Sequence, residues 1–506
     1  MGFAQVLSRA QVGLAAPLVR VEVHLGSGLP TFTIVGLPTA VVRESRERVR
    51  AALAHCGFEL PAGRITVNLA PADIAKEGCR FDLPIALGIL MASGQMQPHC
   101  DLAATEFYGE LGLTGDLKPV PALLLAALEA AVAGHALFVP AANAAALAAM
   151  AVAPVHPVAH LRELATGEVV PVLLPGTLAA NGATRTALPE LADVRGQWQA
   201  KRALVIAAAG GHSLLMRGPP GSGKSMLAQR LPALLPPLSR AEALEVAAIA
   251  AVAQVWATAE PSASAGALPP FRAPHHTASA NAIVGGGTTV RPGEVSLAHH
   301  GVLFLDELPE FNRGVLEALR EPMESGKVNV VRADQRAEFP AQFQLVAAMN
   351  PCPCGGAKSG PRRCSCTPQQ KQGYRSRISG PLLDRIDLRL ELPPVDPADL
   401  LCDTIGSDAD SLTSAAARRQ VCAARQRQLQ RQGRINARLE PAQTLEHCRL
   451  GADGRTLLLR AAAKHEHSAR SQHRILRVAR SIADLAGRDA VSAADLAEAL
   501  AMRWED

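Results

Sequence analysis

The octet Gly218-Pro219-Pro220-Gly221-Ser222-Gly223-Lys224-Ser225 constrains this chain more than any other feature. It matches G-x-x-x-x-G-K-[ST], a loop that cradles nucleotide phosphates. Such a loop needs a buried strand before it and the first turn of a helix after it. Its glycines let successive backbone N–H groups converge on one anion. The flanks meet both demands: SLLMRG reads as a strand and SMLAQRLPALL as a helix. Gly218, Pro219, Pro220, Gly221, Ser222 and Gly223 are expected to line the cradle for ATP. Lys224 is expected to reach the β- and γ-phosphates, and the Ser225 hydroxyl to join the Mg2+ shell.

Three further elements read as parts of the same site. VLFLDEL (302–308) is an apolar strand ending in two carboxylates. Ligands of open α/β sheets bind at such strand ends. Asp306 is expected to hold the Mg2+ shell, and Glu307 to polarise the attacking water as a general base; the bland alternative is a pair of helix-capping acids. AAMN (347–350) is a strand ending in Asn350, which can orient water or sense the γ-phosphate, or simply make a turn. In YRSRISGPLLDRIDL (374–388), Arg385 is expected to protrude from a short turn. There it can serve a neighbour's site as an arginine finger, the alternative being an ion pair with Asp384 or Asp387.

A chain of 506 residues exceeds one ordinary core, so two to four domains are expected. Residues 1–168 alternate short β-like runs (LVRVEVHL, TFTIVGL, RITVNLA) with helical stretches such as VRESRERVRAALAHCG, an α+β pattern. Residues 169–192 read as a Gly/Ala/Thr/Pro-rich linker. Residues 193–400 repeat strand, loop and helix, which implies a mostly parallel sheet, with 257–270 as a mobile surface loop. Residues 401–506 read as helices. The net charge of +5 is modest, but residues 411–480 hold 15 Lys/Arg against 4 Asp/Glu. Such an excess either meets an acidic polymer or is a solvated helical face. No apolar run reaches signal-peptide or membrane-spanning length, so a cytoplasmic protein is expected. Its ten cysteines are then not read as disulfides.

GPPGSGKS, LFLDEL, AAMNPCPCG and GPLLDRIDL, in this order and spacing, resemble the magnesium-chelatase-like AAA+ ATPases of the ComM/YifB family. VRGQWQAKRALVIAAAGGH and SARSQHRILRVARSIADL extend the likeness to essentially the whole chain. The resemblance implies an α/β fold: an AAA+ P-loop core with an N-terminal α+β Lon-protease-like domain and a C-terminal helical lid. It implies a ring, usually a hexamer, with each ATP site shared between subunits. It also implies a second sensing arginine in the lid; Arg470 fits that place and Arg474 is its rival. In related ring helicases of the MCM group, two hairpins line the central pore. HHTASANAIVGGGTTVRPGEVSLAHHG, with Gly285-Gly286-Gly287 as a tip, and EPMESGKVNVVRADQRAEF stand at the matching places. Lys327, Arg332 and Arg336 become candidates for sequence-blind contacts to a DNA backbone, or else face solvent. ComM-like proteins are associated with branch migration of recombination intermediates during natural transformation. The resemblance thus implies a DNA helicase, with a chelatase-type chaperone acting on a protein partner as the alternative.

NLAPADIAKEGCRFDLPIALGIL (68–90) and LGLTGDLKPVPALLLAALEA (111–130) resemble the proteolytic domain of Lon-type proteases, which uses a Ser–Lys dyad. Arg80 stands at the nucleophile's place and Leu124 at the lysine's. Acyl transfer by that route is not expected. The basic run Arg43–Arg50 is a possible contact surface or a solvated face. Finally, Cys352, Cys354, Cys364 and Cys366 form C-x-C…C-x-C across a Gly/Lys/Arg-rich loop. Four thiolates so placed can hold a tetrahedral zinc, although the spacing is tighter than usual; the alternative is four free thiols.

Overall fold

A computed structural model describes residues 2–150, 153–166, 188–253, 267–287, 290–332, 335–356, 364–394, 412–465 and 468–503. Most of the 169–192 linker and of the 257–270 loop lies outside the described residues. The chain divides into two compact units. One comprises Met1–Arg185, Arg240–Ala265 and Val331–Glu338; the other comprises Thr186–Ser239, Gly266–Val330 and Phe339–Asp506.

In the first unit a seven-stranded mixed sheet runs in the order Thr31–Val35, Arg64–Ala70, Leu18–Gly26, Gly2–Arg9, Thr105–Phe107, Ala136–Pro140, Val155–Val158. Period-two alternation places Val19, Val21 and Val23, and then Ile65, Val67 and Leu69, on one buried face. Antiparallel pairing of Val21 with Leu69 and of Val23 with Val67 follows from burying both sets together. Helices Ala40–His55 and Asp82–Ala92 cover that face. The second of these is apolar almost throughout and correspondingly buried. Helix Arg240–Val252 packs against helix Leu123–Ala133 of the same unit.

The second unit is built on a five-stranded parallel sheet, ordered Phe271–Arg272, Val302–Leu305, Gln344–Met349, Leu214–Arg217, Leu388–Glu391. Three of its strands are buried at every residue, as sequences covered on both faces must be. Register aligns Leu305 with Ala347 and Arg217 with Met349. The loop 218–225, Asp306-Glu307 and Asn350 therefore all follow the carboxyl ends of adjacent strands.

Helices Ser414–Gln432, Ala469–Leu485 and Ala493–Ala501 join this core through apolar packing and a buried polar seam. In the seam, the His212 ring contacts the Ser481 hydroxyl at 2.7 Å and Asn436 donates to Asp484 at 2.8 Å. Much of the C-terminal basic excess is spent inside the fold. Arg418 donates to the Ala233 carbonyl, Arg425 to that of Ala208, and Arg431 pairs with Asp484. Of the glycine triplet, Gly285 and Gly286 pair with Pro292 and Arg291 and so form one arm of a hairpin, and only Gly287 stands in the turn beyond them. Strands Lys327–Arg332 and Gln335–Pro340 form a second two-stranded sheet.

Candidate active site

The phosphate loop leaves strand Leu214–Arg217 and enters helix Lys224–Leu234. Gly221 (φ 79°) and Gly223 (φ 85°) adopt left-handed backbone that other residues resist. At Gly218 the constraint is contact: a Cβ there would lie 2.8 Å from Ser222 Oγ and 2.9 Å from the Leu392 carbonyl. The buried Lys224 Nζ donates to the carbonyls of Gly218 and Pro219 at 2.8 and 2.9 Å, and to Asn350 Oδ1 at 3.2 Å. Burial lowers its pKa, and Asp306 and Glu307 offset part of that shift.

Ser225 Oγ donates to Asp306 Oδ2 at 2.7 Å, which sets a hydroxyl and a carboxylate side by side at the end of strand Val302–Leu305. Such hard oxygen donors suit Mg2+ completed by water and phosphate. Asp306 Oδ1 accepts the Glu307 N–H at 2.9 Å. Glu307 itself takes a left-handed backbone, φ 52°, and its exposed carboxylate stands 3.4 Å from His276 Nδ1. Three separate segments of sequence thus bring Lys224, Ser225, Asp306, Glu307 and Asn350 around one loop. His276 was missed from the sequence because its doublet with His275 carries no motif; only the sheet brings it beside Glu307.

Arg385 is not brought to that loop, and its side chain does not protrude. It is 8% exposed; Nη1 donates to the Pro381 carbonyl at 2.7 Å and Nη2 pairs with Glu324 at 2.8 Å. A guanidinium folded inward needs a carboxylate, and Glu324 supplies it in place of Asp384 or Asp387. Within the same run Arg377 is the exposed arginine, 2.7 Å from Glu310. Arg474 donates to Asp387 at 2.5 Å and to the Arg385 carbonyl at 2.8 Å. Arg470 lies at the surface, 3.1 Å from the same Glu324.

The cysteine turn follows Asn350 directly. The sulfurs of Cys352, Cys354, Cys364 and Cys366 all lie within 4.8 Å of one another. Cys352 stands 3.3 Å from Cys354 and 3.4 Å from Cys364. Four convergent sulfurs at these separations fit the edges of a tetrahedral thiolate site for zinc. A hydrogen bond from the Gly356 N–H helps pull the Cys354 thiol down to about 6, toward the thiolate that a metal requires. Gly355, at φ 69°, packs so closely on the phosphate loop that a Cβ would lie 2.8 Å from Pro220 Cγ. Residues 357–363 of this loop lie outside the described residues.

Lys327 is exposed at the start of its hairpin strand. Arg332 and Arg336 lie on the two paired strands; their side chains fall outside the described residues. In the first unit, the guanidinium of the buried Arg80 donates to Gln11 and to the Pro121 carbonyl, each at 3.1 Å. An arginine cation therefore ties together the two segments that resemble a Ser–Lys dyad, and it offers no nucleophile. On helix Ala40–His55, Arg48 turns inward to the buried Asp82 at 2.6 Å, while Arg43, Arg46 and Arg50 stay exposed.

A parallel sheet ordered in this way, with a phosphate loop on its central strands and a helical C-terminal region, defines an AAA+ P-loop protein. Family models agree. Residues 190–400 match "Magnesium chelatase, subunit ChlI", residues 21–143 match "Subunit ChlI of Mg-chelatase", and residues 411–503 match its C-terminal region. The chain is 46% identical to the uncharacterized protein YifB of Salmonella typhimurium over 506 residues, covering 100% of this chain and 98% of that one. It is also 46% identical to the competence protein ComM of Haemophilus influenzae, over 99% and 98% of the two chains. YifB of Escherichia coli is 44% identical over 100% and 98%. The chain belongs to the ComM/YifB family of magnesium-chelatase-like AAA+ ATPases. Among the described residues, no helix is long and apolar enough to cross a membrane.

Proposed function

We propose that this chain is an ATP-hydrolysing ring motor that acts on DNA, a helicase that promotes branch migration of recombination intermediates during natural transformation. The observation that carries the reading is the convergence of Lys224, Ser225, Asp306, Glu307 and Asn350 on one loop, in a chain 46% identical to a competence protein. Lys224 binds the β- and γ-phosphates, and the loop's backbone N–H groups hold them. Ser225 and Asp306 would hold Mg2+, which neutralises phosphate charge when bound. Glu307 takes a proton from the attacking water, and Asn350 orients that water. Arg385 acts on a neighbouring subunit's phosphate in a hexamer. Arg470 is the lid's sensor, because Arg474 is committed to Asp387. Lys327, Arg332 and Arg336 contact the DNA backbone, and zinc held by the four cysteines stiffens the turn after Asn350.

A second reading has an observation of its own: the matching family models are those of a magnesium-chelatase subunit. The chain would then be a chaperone that remodels a protein partner, with ATPase activity indifferent to DNA. Hydrolysis measured with single-stranded, duplex and branched DNA at low salt separates the two. The DNA motor expects stimulation, greatest with its preferred structure. The Lys224→Ala chain is expected to lose hydrolysis by about 100-fold or more. A normal Lys224→Ala control together with a response flat to all three DNAs would favour the chaperone.

A further inference from the structure

A single carboxylate oxygen gathers both arginines that stand apart from the phosphate loop. Glu324 Oε1 lies 2.8 Å from Arg385 Nη2 and 3.1 Å from Arg470 Nη2. Three elements meet there: helix Arg320–Ser325, the turn after helix Gly380–Leu383, and the first turn of helix Ala469–Leu485. Two cations share one anion, so the cluster keeps a positive charge and remains attractive to a phosphate. A phosphate binds guanidinium groups strongly, while Glu324 is 43% exposed and screened by water. The arginine pair can therefore pass from carboxylate to phosphate without being taken apart.

Glu324 also sits where a hairpin begins. Its helix ends at Gly326, φ 70°, and strand Lys327–Arg332 starts at the next residue. The junction is stiff. Ser325 Oγ accepts the Lys327 N–H at 3.1 Å and donates to the Glu321 carbonyl at 3.0 Å. The returning strand closes the stem where the Ala341 N–H donates to the Gly326 carbonyl at 2.8 Å. A displacement of the hairpin base reaches Glu324 across three residues of tightly bonded backbone.

We propose that Glu324 is a positioning residue that couples the Lys327–Pro340 hairpin to Arg385 and Arg470, so that engagement of the hairpin sets where the two guanidinium groups stand. This rests on reading the hairpin as a polynucleotide contact. Glu324 touches no substrate; it acts through the arginines.

The test uses the full-length chain and a single-stranded DNA oligonucleotide. The quantity read is the ratio of ATP turnover with DNA to turnover without it, alongside KM for ATP. In Glu324→Gln the ratio is expected to fall at least about threefold while KM stays within about twofold, because the phosphate loop is untouched. Glu324→Asp, which keeps the charge, is expected to recover part of the ratio. Glu324→Gln added to Arg470→Ala is expected to lower the ratio no further than Arg470→Ala alone, as residues acting in one chain of contacts should. A Glu324→Gln ratio equal to the parent's, a loss matched by an equal rise in KM, or losses that multiply in the double variant would each overturn the coupling. A parent chain stimulated by DNA with an equally stimulated Glu324→Gln variant refutes the coupling alone. A parent chain indifferent to DNA refutes the DNA reading and the coupling with it.

Discussion

Asp387 shows how one buried charge ties the core to the helical region. Its carboxylate accepts from the Ser213 N–H at 3.1 Å and from Arg474 at 2.5 Å, with His212 Nδ1 at 3.5 Å. Burial pushes its pKa up, but Arg474 and His212 outweigh burial and hold it well below the ordinary carboxylate range. A depressed folded-state pKa means that the contribution is complete above the unfolded value of about 4 and is lost as pH falls below it. Arg474→Ala is therefore expected to cost about 3 kcal/mol or more at pH 7, since it strands a buried carboxylate. The gap from the parent should narrow below about pH 4. Urea unfolding at the two pH values measures both effects; equal stability at pH 7 would show that Asp387 has no need of this partner. The sequence offers Arg470 and Arg474 as rivals for one role, because both lie on one helix face; in the fold they meet different acids, Arg474 pairing with Asp387 and Arg470 with Glu324.

At the scale of elements, legibility follows locality. The strand, loop and helix around Lys224 could be read because every constraint lies within about twenty residues: an apolar run, glycines at positive φ, a helix start. The basic helix Ser414–Gln432 could not. Its arginines look like a surface for an acidic polymer, yet Arg418 caps the end of helix Lys224–Leu234 and Arg425 the end of helix Trp198–Gly210. Cations belong at helix carboxyl ends, but which helices they meet is invisible along the chain. The cysteine turn lies between these cases. Its four thiols were legible; their packing of Gly355 on Pro220 was not. Metal analysis of the purified chain is expected to find about one zinc per chain, and Cys352→Ser to abolish it. Stoichiometry near zero, with all four thiols open to a thiol reagent, would remove the site.

For the whole molecule, the geometry of Arg385 bears on assembly. Within one chain its guanidinium is held by Glu324 and the Pro381 carbonyl rather than by its own phosphate loop. If it serves a neighbour, Arg385→Ala and Glu307→Gln subunits damage different halves of a shared site. Mixing the two inactive proteins is then expected to restore hydrolysis at interfaces that hold one intact half of each. No recovery in mixtures shown to exchange subunits would assign Arg385 a structural role within its own chain.

The amino-acid order alone determined the phosphate loop, the acidic strand end, the thiol pattern and the family, because each is a local arrangement of residue types with a specific chemical demand. Only the tertiary structure decided that residues 240–265 and 331–338 join the first unit, that Arg80 bridges to Pro121, that His276 faces Glu307, and that Glu324 holds two arginines. Those choices depend on burial and charge pairing between segments far apart in the chain. A buried cation takes whichever carboxylate or carbonyl the packed core brings within reach, and spacing along the sequence does not encode that distance.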